Sequence, residues 1–592
     1  MSTPRSILSP LLSLLLAALL LVPLAAAPAQ AADHRMDDHV VTNPEDGTEI
    51  AISVFQPGGS DASHQVPVVL HSHGWGGSRA TAIDGVVKRF LDRGFGIVSI
   101  DQRGHGDSGG EANVQDPTKE TEDIKAVIDF VAELPWVLHD VDGSGNPIVN
   151  DPVMGAIGGS YGGGYQTMTA LDEIAETGHT RFNALAPEIT WYDLPESLAP
   201  QKVVRTAWNV LLYGVGAPML PQFVHEAFVW GSASGQWPDG TAYGQPVPAV
   251  PDLDSEFHKH SPVAFVEQGV KLDIPVLQRQ GISDNLFNLN QGLDIFQKAV
   301  TDKARERSYF VGYNGGHALP NVLPAGTAAG DDACSGDFTE LTMDFFDRVF
   351  SGANTKGLLP ARYNLTTADG TKCLHADGLG TGMKLSVDPL GTGQMVSTTG
   401  AGAPLNLPVA EGPLTLAGVP HLKGTVTSAA LDGRAFFALA VGTSPADALV
   451  IQNNMMPLRR ALPVQDDEFN IELPGVAIEI PEGQSLFLTI SPVSDMSFGH
   501  ASRTPGALLL GDLKLELSTP QQCGKGKGNS NPDANPNANG TGDGQGHGNG
   551  NGHGNGAGHG NGNGGSKPSD KEPKGKGKKK GQAKLEARCD LG

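Results

Sequence analysis

The apolar positions in the first half of the chain form two kinds of run, which alternate. Short continuous runs have the length and β-branched content of buried strands, at residues 66–70, 96–100, 153–157, 274–277 and 308–311. Runs with helical spacing stand between and after them, at residues 83–91, 124–131, 289–300 and 338–350. Because strands and helices alternate, the pattern predicts a mostly parallel sheet that is covered by helices on both faces.

Three other stretches depart from this alternation. Residues 36–56 contain two strand-like runs around a turn at residues 43–47, which predicts a β-hairpin. Residues from about 191 to 263 are rich in Trp, Pro and Gly, and we interpret them as a cap inserted over the sheet. Residues 359–520 contain short strand-like runs with frequent turns and no long amphipathic helix. The sequence therefore predicts an α/β domain at residues 36–355, including its cap, and an all-β sandwich after it.

The first residues have the composition of an export signal. Arg5 is followed by an apolar run at residues 11–24, and residues 29–31 are suited to cleavage just after Ala31. The run is short for a membrane span, so we expect a signal peptide at residues 1–31 rather than an anchor. No later segment is long and apolar enough to cross a bilayer, so we expect a secreted, extracellular protein.

Residues 524–592 are of low complexity, with many Gly, Asn, His and Lys, and we expect them to form a disordered tail. His547, His553 and His559 recur at six-residue spacing, and residues 574–580 are rich in lysine. A solvated, flexible extension is the favoured interpretation. The alternative is weak metal binding by the histidines, with attraction of the lysines to anionic cell-surface polymers.

The overall charge and the cysteines narrow the function classes. The formal net charge of -24 argues against general nucleic-acid binding by the body of the protein. Cys334, Cys373, Cys523 and Cys589 allow two disulfides in an exported protein, with three pairings that the sequence leaves open. None of them has the C-x-x-C spacing of a zinc or redox site.

A glycine-rich turn follows the strand-like run at residues 153–157. It contains G-x-S-x-G as Gly158, Ser160 and Gly162, and it leads into residues with helical spacing. The glycines allow a sharp strand-to-helix turn that exposes the serine hydroxyl and directs the next backbone N–H toward the same space. This arrangement is typical of a nucleophilic serine. A chance match in a glycine-rich loop is the alternative.

A serine nucleophile needs a base and a group that orients the base. In an α/β-hydrolase the acid and then the histidine follow the serine along the chain, each at the end of a strand. Asp284 follows the strand-like run at residues 274–277, and His317 follows the run at residues 308–311. Each alone is an ordinary loop residue, but their order and spacing after Ser160 predict a catalytic triad of Ser160, Asp284 and His317.

The oxyanion formed in acyl transfer needs two backbone N–H donors. Tyr161 supplies one because it follows the serine, and Trp75 is expected to supply the other, since Gly74 lets the chain turn after the strand. His71 and His73 in the same loop have the chemistry of metal ligands, but no third ligand stands at a useful spacing. We therefore interpret both as structural, and the chemistry requires no cofactor.

Two further motifs have both a structural and a functional interpretation. Residues 104–109 match G-x-G-x-x-G, but they do not open a helix directly, which argues against a dinucleotide site. Asp140, Asp142 and Asp151 have the spacing of calcium ligands, with Gly145 for a sharp turn. Because a strand follows, and because such residues also form ordinary turns, a structural calcium ion here stays an alternative to a plain turn.

Several of these residues together resemble one enzyme family. Residues 158–163 resemble the G-x-S-Y-x-G nucleophile motif of the X-prolyl dipeptidyl peptidase (peptidase S15) and cocaine esterase-like (CocE/NonD) α/β-hydrolases. Residues 101–109 are similar to the family's D-x-R-G-x-G-x-S-x-G run, and residues 416–420 and 511–513 are similar to parts of its jelly-roll domain. The resemblance covers roughly residues 38–520. It implies an α/β-hydrolase with an inserted cap, followed by a jelly-roll sandwich.

The resemblance also implies an activity. Members hydrolyse esters or amides, including N-terminal Xaa-Pro dipeptides and α-amino acid esters, and Ser160, Asp284 and His317 match their triad. Many members have a tyrosine after the third strand, whose hydroxyl helps to hold the oxyanion. Trp75 has no hydroxyl to offer in the equivalent loop, so a backbone donor must serve. This departure weakens any transfer of substrate preference.

Two function hypotheses follow from these observations. The first is a secreted serine hydrolase of the dipeptidyl-peptidase or esterase type, acting on a small-molecule or peptide substrate. A peptidase of this type needs a carboxylate for the substrate's free amine, and Glu188, Asp193 and Glu196 are the candidates near the cap. The second is a catalytically idle carbohydrate- or cell-surface-binding protein that uses the β-sandwich and the basic tail. Labelling of Ser160 by a fluorophosphonate separates the two.

Overall fold

The structure is a computed structural model, and it describes residues 33–216, 219–242, 245–317, 332–386, 394–397, 403–499, 501 and 506–521. These residues belong to one compact unit, which contains both the α/β part and the β-rich part. The predicted signal peptide and the predicted tail lie outside the described residues. No helix of the described part combines the length and the apolar character that crossing a membrane requires.

A ten-stranded sheet forms the centre of the α/β part. The strands of the described chain up to residue 376 are β1 Arg35–Thr42, β2 Glu49–Gln56, β3 Val68–Ser72, β4 Gly96–Ile100, β5 His139–Val141, β6 Pro147–Pro152, β7 Met154–Gly159, β8 Ala184–Glu188, β9 Thr241–Ala242, β10 Gln245–Pro246, β11 Leu277–Gly281, β12 Tyr309–Tyr313, β13 Tyr363–Thr366 and β14 Cys373–Ala376. Strands β5 and β6 pair with each other outside this sheet, as do β9 and β10. The sheet order is β1-β2-β4-β3-β7-β8-β11-β12-β13-β14. Strands β4 to β13 in this order run parallel, and β1, β2 and β14 add antiparallel edges. The predicted hairpin and the mostly parallel sheet are confirmed.

The α-helices of the described residues cover both faces of this sheet or belong to the cap. They are α1 Gly85–Arg93, α2 Glu120–Ala132, α3 Tyr161–Thr177, α4 Leu194–Leu198, α5 Thr206–Gly214, α6 Gln222–Ser234, α7 Leu253–Lys259, α8 Pro262–Glu267, α9 Leu289–Asp294, α10 Asp302–Arg305 and α11 Phe338–Phe350. Neighbouring residues of a strand point to opposite faces. Leu70 of β3 accordingly packs with Val127 of α2 and Met168 of α3, whereas Val69 packs with Phe90 of α1 and residues of α11.

The segment interpreted as a cap folds into the short helices α4 to α8 and the β9–β10 hairpin. Its large aromatic side chains, Trp191, Trp208, Trp237 and Phe257, are buried in one hydrophobic cluster with Tyr161. Tyr161 is the first residue of α3 and follows Ser160 directly. The cap therefore packs over the end of the sheet at which the predicted nucleophile stands.

The β-rich part contains two five-stranded sheets that share a hydrophobic core. Its strands are β15 Gly378–Ser386, β16 Gln394–Ser397, β17 Leu405–Glu411, β18 Leu414–Gly418, β19 His421–Ser428, β20 Gly433–Gly442, β21 Leu449–Val450, β22 Met456–Arg460, β23 Val464–Glu472, β24 Val476–Ile480, β25 Ser485–Ser491 and β26 Ala507–Gln521. One sheet joins β15, β16, β26, β19 and β23, and the other joins β17, β25, β20, β21 and β22. Leu422 and Leu515 of the first sheet pack with Phe437 and Leu488 of the second.

The start of the β-rich part differs from the prediction. Strands β13 and β14 lie inside the segment predicted as the sandwich, residues 359–520, but they extend the central sheet. Strand β13 pairs in parallel with β12, and β14 pairs antiparallel with β13. The residues of a short strand do not specify which sheet it joins, because that depends on the edge that is free to receive it. The separate β sheets begin at Gly378 with β15.

A disulfide bond links Cys334 to Cys373 across a sequence separation of 39 residues. It joins the segment before α11 to β14 at the edge of the central sheet. This bond is one of the pairings that the sequence left open. Cys523 and Cys589 lie outside the described residues.

We expect the double variant Cys334→Ser/Cys373→Ser to lose roughly 2–5 kcal/mol of unfolding free energy, because the unfolded chain gains the freedom that the link removes. Urea denaturation followed by circular dichroism measures this loss. The matched control, Cys523→Ser/Cys589→Ser, changes the cysteine just before the predicted tail and the one within it, and it should leave the midpoint unchanged. A double variant as stable as the parent protein would contradict the expectation.

Candidate active site

Ser160 occupies the tight turn between β7 and α3. Its backbone has φ 57° and ψ -118°, and a positive φ is uncommon for a residue other than glycine. Gly162 permits the close approach of the neighbouring loop, since a Cβ atom there would lie 2.4 Å from the Ser72 carbonyl oxygen. The Ser160 N–H donates to the Glu188 carbonyl oxygen at 3.0 Å and so ties the turn to β8. The strained turn sets the serine at the carboxyl end of β7, as the sequence predicts.

The structure brings the three predicted triad side chains together. His317 Nε2 lies 2.8 Å from Ser160 Oγ, and His317 Nδ1 lies 2.8 Å from Asp284 Oδ2. Asp284 comes from the loop after β11, and His317 comes from the loop after β12. Because β7, β11 and β12 belong to the parallel part of one sheet, their carboxyl ends meet at one edge. This topology brings together residues that are 157 and 33 positions apart in the sequence.

Asp284 is fully buried and held by its own loop. Its Oδ1 accepts hydrogen bonds from the backbone N–H groups of Leu286 and Phe287, both at 2.9 Å. Its Oδ2 faces His317 and also accepts from Gln280 Nε2 at 3.3 Å. Each carboxylate oxygen therefore has a different partner set, and the oxygen that faces His317 is fixed by the two backbone donors on the other.

Two aromatic rings enclose His317, and no sequence motif indicated them. Trp208 of the cap lies edge-on to the imidazole at 5.5 Å between ring centroids, and Phe287 does so at 5.0 Å. The His317 side chain is only 5% exposed. The rings limit its rotation and keep water away from the contact with Asp284, which strengthens that contact.

The two predicted oxyanion donors lie beside Ser160. Tyr161 begins α3, so its N–H has no acceptor within the helix. A Cβ atom on Gly74 would lie 3.8 Å from Ser160 Cβ, which places the Trp75 loop directly against the serine turn. Among the backbone hydrogen bonds of the described residues, neither the Trp75 N–H nor the Tyr161 N–H is a donor. Both N–H groups are thus free to bind a substrate oxygen.

A layer of histidines supports the Trp75 loop. His71 Nδ1 lies 2.8 Å from Ser99 Oγ, and His73 Nε2 accepts from the Gln102 N–H at 3.1 Å. Burial lowers the pKa of His71 to about 4 and also lowers the pKa of His73. These neutral side chains bond to the protein's own loops, which fits the structural interpretation.

The G-x-G-x-x-G run at residues 104–109 packs on itself. A Cβ atom on Gly106 would lie 2.2 Å from the Asp101 carboxylate, which accepts from the Asp107 N–H at 2.9 Å. His105, within the run, contacts the rings of Trp75 and Tyr161, each at 5.3 Å between centroids. The run therefore forms a packed loop against Trp75 and Tyr161, the two predicted oxyanion donors.

The segment considered as a calcium site forms a β-hairpin, and one of its own aspartates holds the turn. Asp142 accepts from the backbone N–H groups of Ser144 and Asn146 at 2.8 and 2.9 Å, which forms the turn between β5 and β6. Asp140 accepts from Asn183 Nδ2 at 2.5 Å. Burial, with the nearby Asp140, raises the pKa of Asp151. Asp140, Asp142 and Asp151 do not form one of the described groups whose ligand atoms lie within 4.8 Å of one another.

The described acidic group that does meet this spacing is Glu122, Asp172 and Glu176. The Lys125 ammonium lies within 2.7 Å of all three carboxylates. These contacts raise the pKa of Lys125 against the effect of burial. A lysine therefore fills the position that a cation would take.

Glu120 of α2 is a buried carboxyl near Tyr161 that no motif indicated. It accepts from the backbone N–H groups of Asn113 and Asp116, and burial raises its pKa to about 8. The unfolded chain releases this proton near the ordinary value of 4.5, so between these pH values the folded state binds more protons. Stability from this group is fully present below about pH 4.5 and is lost as the pH rises toward 8.

We expect Glu120→Gln to become more stable relative to the parent protein as the pH rises, by on the order of 2 kcal/mol between about pH 5.5 and 7.5. Chemical denaturation at several pH values measures the difference. The glutamine also loses one acceptor, but that cost does not depend on pH. Glu133→Gln, at an exposed position, is the control and should run parallel to the parent. Parallel curves for Glu120→Gln would contradict the expectation.

The β-rich part reaches the loop that carries Asp284. Asn454 Nδ2 donates to the Asp284 carbonyl oxygen at 3.0 Å, and the buried Arg205 of the cap lies behind Asn454 at 3.4 Å. Asn285 accepts from Trp208 Nε1 at 3.0 Å and contacts Met496 Sδ at 2.8 Å. The loop with the predicted acid is thus held between the cap and the β-rich part.

Part of this chain is similar to proteins of a known enzyme family. Residues 46–318 match the family model described as X-Pro dipeptidyl-peptidase (S15 family), and this range includes Ser160, Asp284 and His317. The uncharacterized protein YcjY of Escherichia coli (strain K12) is 28% identical over 134 residues, which are 22% of this chain and 40% of YcjY. The chain spans 30–40% of the length of the curated relatives that it matches.

Solved structures show the same fold. A CocE/NonD family hydrolase from Staphylococcus aureus has a TM-score of 0.57 at 13% identity, over 83% of this chain and 97% of that one. An α-amino acid ester hydrolase has a TM-score of 0.56 at 13% identity, over 84% of this chain and 99% of that one. The protein therefore has an α/β-hydrolase-like fold. With the match of residues 46–318 to the X-Pro dipeptidyl-peptidase (S15 family) model, the resemblance expected from the sequence is confirmed.

Proposed function

We propose that the protein is a secreted serine hydrolase that cleaves an ester or amide through an acyl-enzyme, with Ser160, His317 and Asp284 as its triad. The observation that carries the proposal is the continuous contact from Ser160 Oγ through the His317 ring to Asp284, with both steps at 2.8 Å. Hydrolases of the related families use the same order of residues. Dipeptidyl-peptidase and esterase activities are the two forms that the family relationship favours.

In the proposed mechanism His317 Nε2 takes the proton of Ser160 Oγ as the oxygen attacks the substrate carbonyl carbon. Asp284 holds the Nδ1–H of His317 and stabilises the imidazolium that forms. The backbone N–H groups of Tyr161 and Trp75 bind the oxyanion. His317 then gives the proton to the leaving group as the carbonyl–heteroatom bond breaks. Water, activated by the same histidine, releases the acid and restores Ser160.

The helix that begins at Tyr161 adds to this chemistry. Its first N–H groups carry the positive end of the helix dipole, directed at the place where negative charge develops. Trp75 Nε1 donates to the Leu212 carbonyl oxygen of α5 at 2.9 Å, which anchors the second donor to the cap. A fixed pair of donors costs no reorganisation when the oxyanion forms.

Labelling with a fluorophosphonate, followed by mass spectrometry of the modified peptide, tests the proposal. We expect one adduct on Ser160, and turnover of at least one substrate in a panel of aryl esters and Xaa-Pro anilides. Absence of both would refute it. Capture by cell-wall polymers, together with that absence, would instead support the idle carbohydrate- or surface-binding alternative.

The proposal includes export and a jelly-roll. The Cys334–Cys373 bond supports export, since disulfides persist in oxidising compartments. The shared core of the two five-stranded sheets supports a jelly-roll sandwich. Contact of the lysine-rich tail with anionic cell-surface polymers belongs to the same proposal. Protein recovered from the culture medium with Ala32 as its first residue is the expected result, and retention in the cell with an intact start would contradict export.

A further inference from the structure

Two distinct spaces meet at Ser160. The first, which we call the cap cavity, has a volume of about 90 Å³ and is lined by Ser160, Tyr161, Trp75 and side chains of the cap. The second, which we call the groove, is lined by Ser160, His317, Glu188 and Arg279 among others. A substrate bound at the serine must place its acyl group in one space and its leaving group in the other.

The position of His317 decides which group goes where. His317 must hand its proton to the leaving group, so the leaving group lies on the His317 side of Ser160. Among the described residues, His317 lines the groove and does not line the cap cavity. Tyr161, whose N–H is a proposed oxyanion donor, lines the cap cavity. The acyl group therefore enters the cap cavity and the leaving group occupies the groove.

The cap cavity is almost wholly apolar. Its walls include Trp191, Trp237, Phe228, Leu286 and Ala227, and its described lining contains no Asp, Glu, Lys, Arg or His. An ammonium group in such a cavity would lose its water without gaining a partner, which is strongly unfavourable.

Some polar atoms of the lining are engaged within the protein, whereas the buried Tyr161 hydroxyl and Trp237 Nε1 have no hydrogen-bond partner among the described residues. Asn209 Nδ2 donates to the Phe228 carbonyl oxygen and to Ser232 Oγ, both at 3.3 Å. The Tyr213 hydroxyl bonds to His225 Nδ1 at 3.0 Å. The described lining therefore offers a substrate a few neutral dipoles but no carboxylate to pair with an ammonium group, and the cavity selects mainly by size and apolar contact.

The three carboxylates predicted as amine receptors lie elsewhere. Glu188 lines the groove and forms an ion pair with Arg279 at 2.7 Å. Asp193 caps α4 by accepting from the Glu196 N–H at 3.1 Å. Glu196 lines a separate polar cavity between the cap and the β-rich part, and burial raises its pKa to about 8. None of the three lines the cap cavity.

We propose that the cap cavity accepts uncharged aliphatic or aryl-aliphatic acyl groups and rejects acyl groups that carry a free α-amine. The protein is then an esterase for apolar acids rather than an enzyme that removes N-terminal dipeptides. This inference rests on the proposed function, because it assigns the acyl group relative to Ser160 and His317.

A pair of substrates that differ in one amine tests the proposal. The 4-nitrophenyl ester of 3-phenylpropanoic acid is compared with that of phenylalanine at about pH 6, where the α-amine is protonated. Both react at the same pH, so the pH dependence of the enzyme cancels from the ratio. We expect kcat/KM to be at least about 100-fold higher for the amine-free ester. The ammonium group activates the ester chemically, so intrinsic reactivity acts against the expected result. Equal or faster turnover of the phenylalanine ester would overturn the proposal.

A variant pair on one helix tests the place of binding. Ala227 of α6 is buried in the cavity wall, whereas Val229 of the same helix is 59% exposed. For the parent protein we expect kcat/KM to rise by roughly threefold for each added acyl methylene until the cavity is full. Ala227→Trp should flatten this rise, so that the octanoyl-to-acetyl ratio falls by at least about tenfold. Val229→Trp should keep the parental ratio. A parental ratio in Ala227→Trp would overturn the assignment.

Different results would refute the proposed function and the apolar selection. If Ser160 is not labelled and no ester is turned over, the proposed function itself is refuted. If Ser160 is labelled and the phenylalanine ester is the better substrate, the serine hydrolase stands and only the apolar selection is refuted. The substrate comparison uses the unmodified protein, so it does not depend on the folding of any variant.

Discussion

Ser160→Ala should lower kcat/KM for any ester that the parent protein hydrolyses by about 10⁶-fold and should abolish labelling by a fluorophosphonate. The substitution removes the oxygen that attacks the carbonyl carbon and leaves His317 without a group to deprotonate. The proposed oxyanion donors, the N–H groups of Tyr161 and Trp75, are backbone atoms and remain. A residual rate above that in water is therefore expected to persist.

The test needs proof that the variant keeps its fold. Alanine retains the Cβ atom, so the packing around the turn is conserved, and the thermal unfolding midpoint should stay near that of the parent. Ser255→Ala, at an exposed serine of the cap, is the matched control and should keep full activity. A folded Ser160→Ala protein with more than about 1% of parental activity would show that another group is the nucleophile.

Asp284→Asn should lower kcat/KM by about 10⁴-fold while the fold and the fluorophosphonate site remain. The local hydrogen bonds explain why the isosteric change is severe. Oδ1 accepts from the Leu286 and Phe287 N–H groups, and only the carbonyl oxygen of an asparagine can do this. The asparagine amide N–H₂ must then face His317 Nδ1. His317 would carry its proton on Nε2 and could not accept the proton of Ser160.

The rates of ester hydrolysis and of fluorophosphonate labelling should fall together, because both require an activated Ser160. Asp294→Asn on α9 is the control, since Asp294 forms its ion pair with Lys298 at 2.8 Å. It should keep activity within about threefold of the parent. A loss of less than about 100-fold in Asp284→Asn would show that Asp284 does not orient the base.

Much of this site could be predicted from the sequence, because in this fold the order of residues along the chain determines where they lie in the sheet. In a parallel sheet every strand end on one side lies at the same edge, so residues that follow successive strands are brought together. Ser160 after β7, Asp284 after β11 and His317 after β12 satisfy this condition. The position of Tyr161 and of the Trp75 loop beside Ser160 could also be predicted, because each follows the end of a strand.

Other features depended on contacts between distant segments. Trp208 and Phe287 enclose His317, yet neither stands in a motif. Asn454 bonds to the loop of Asp284 from a segment 170 residues away. Strands β13 and β14 joined the central sheet rather than the predicted sandwich, because the free edge beside β12 received them.

The sequence by itself determined the alternation of strands and helices, the strained serine turn and the order of the triad residues. These properties are local, since hydrophobic spacing and turn chemistry act over a few residues. Only the tertiary structure decided what surrounds the serine. The tertiary structure lines the cap cavity with apolar side chains, and it pairs Glu188 with Arg279 outside that cavity. A cavity is built from residues far apart in the chain, so its chemistry emerges only when those segments pack together.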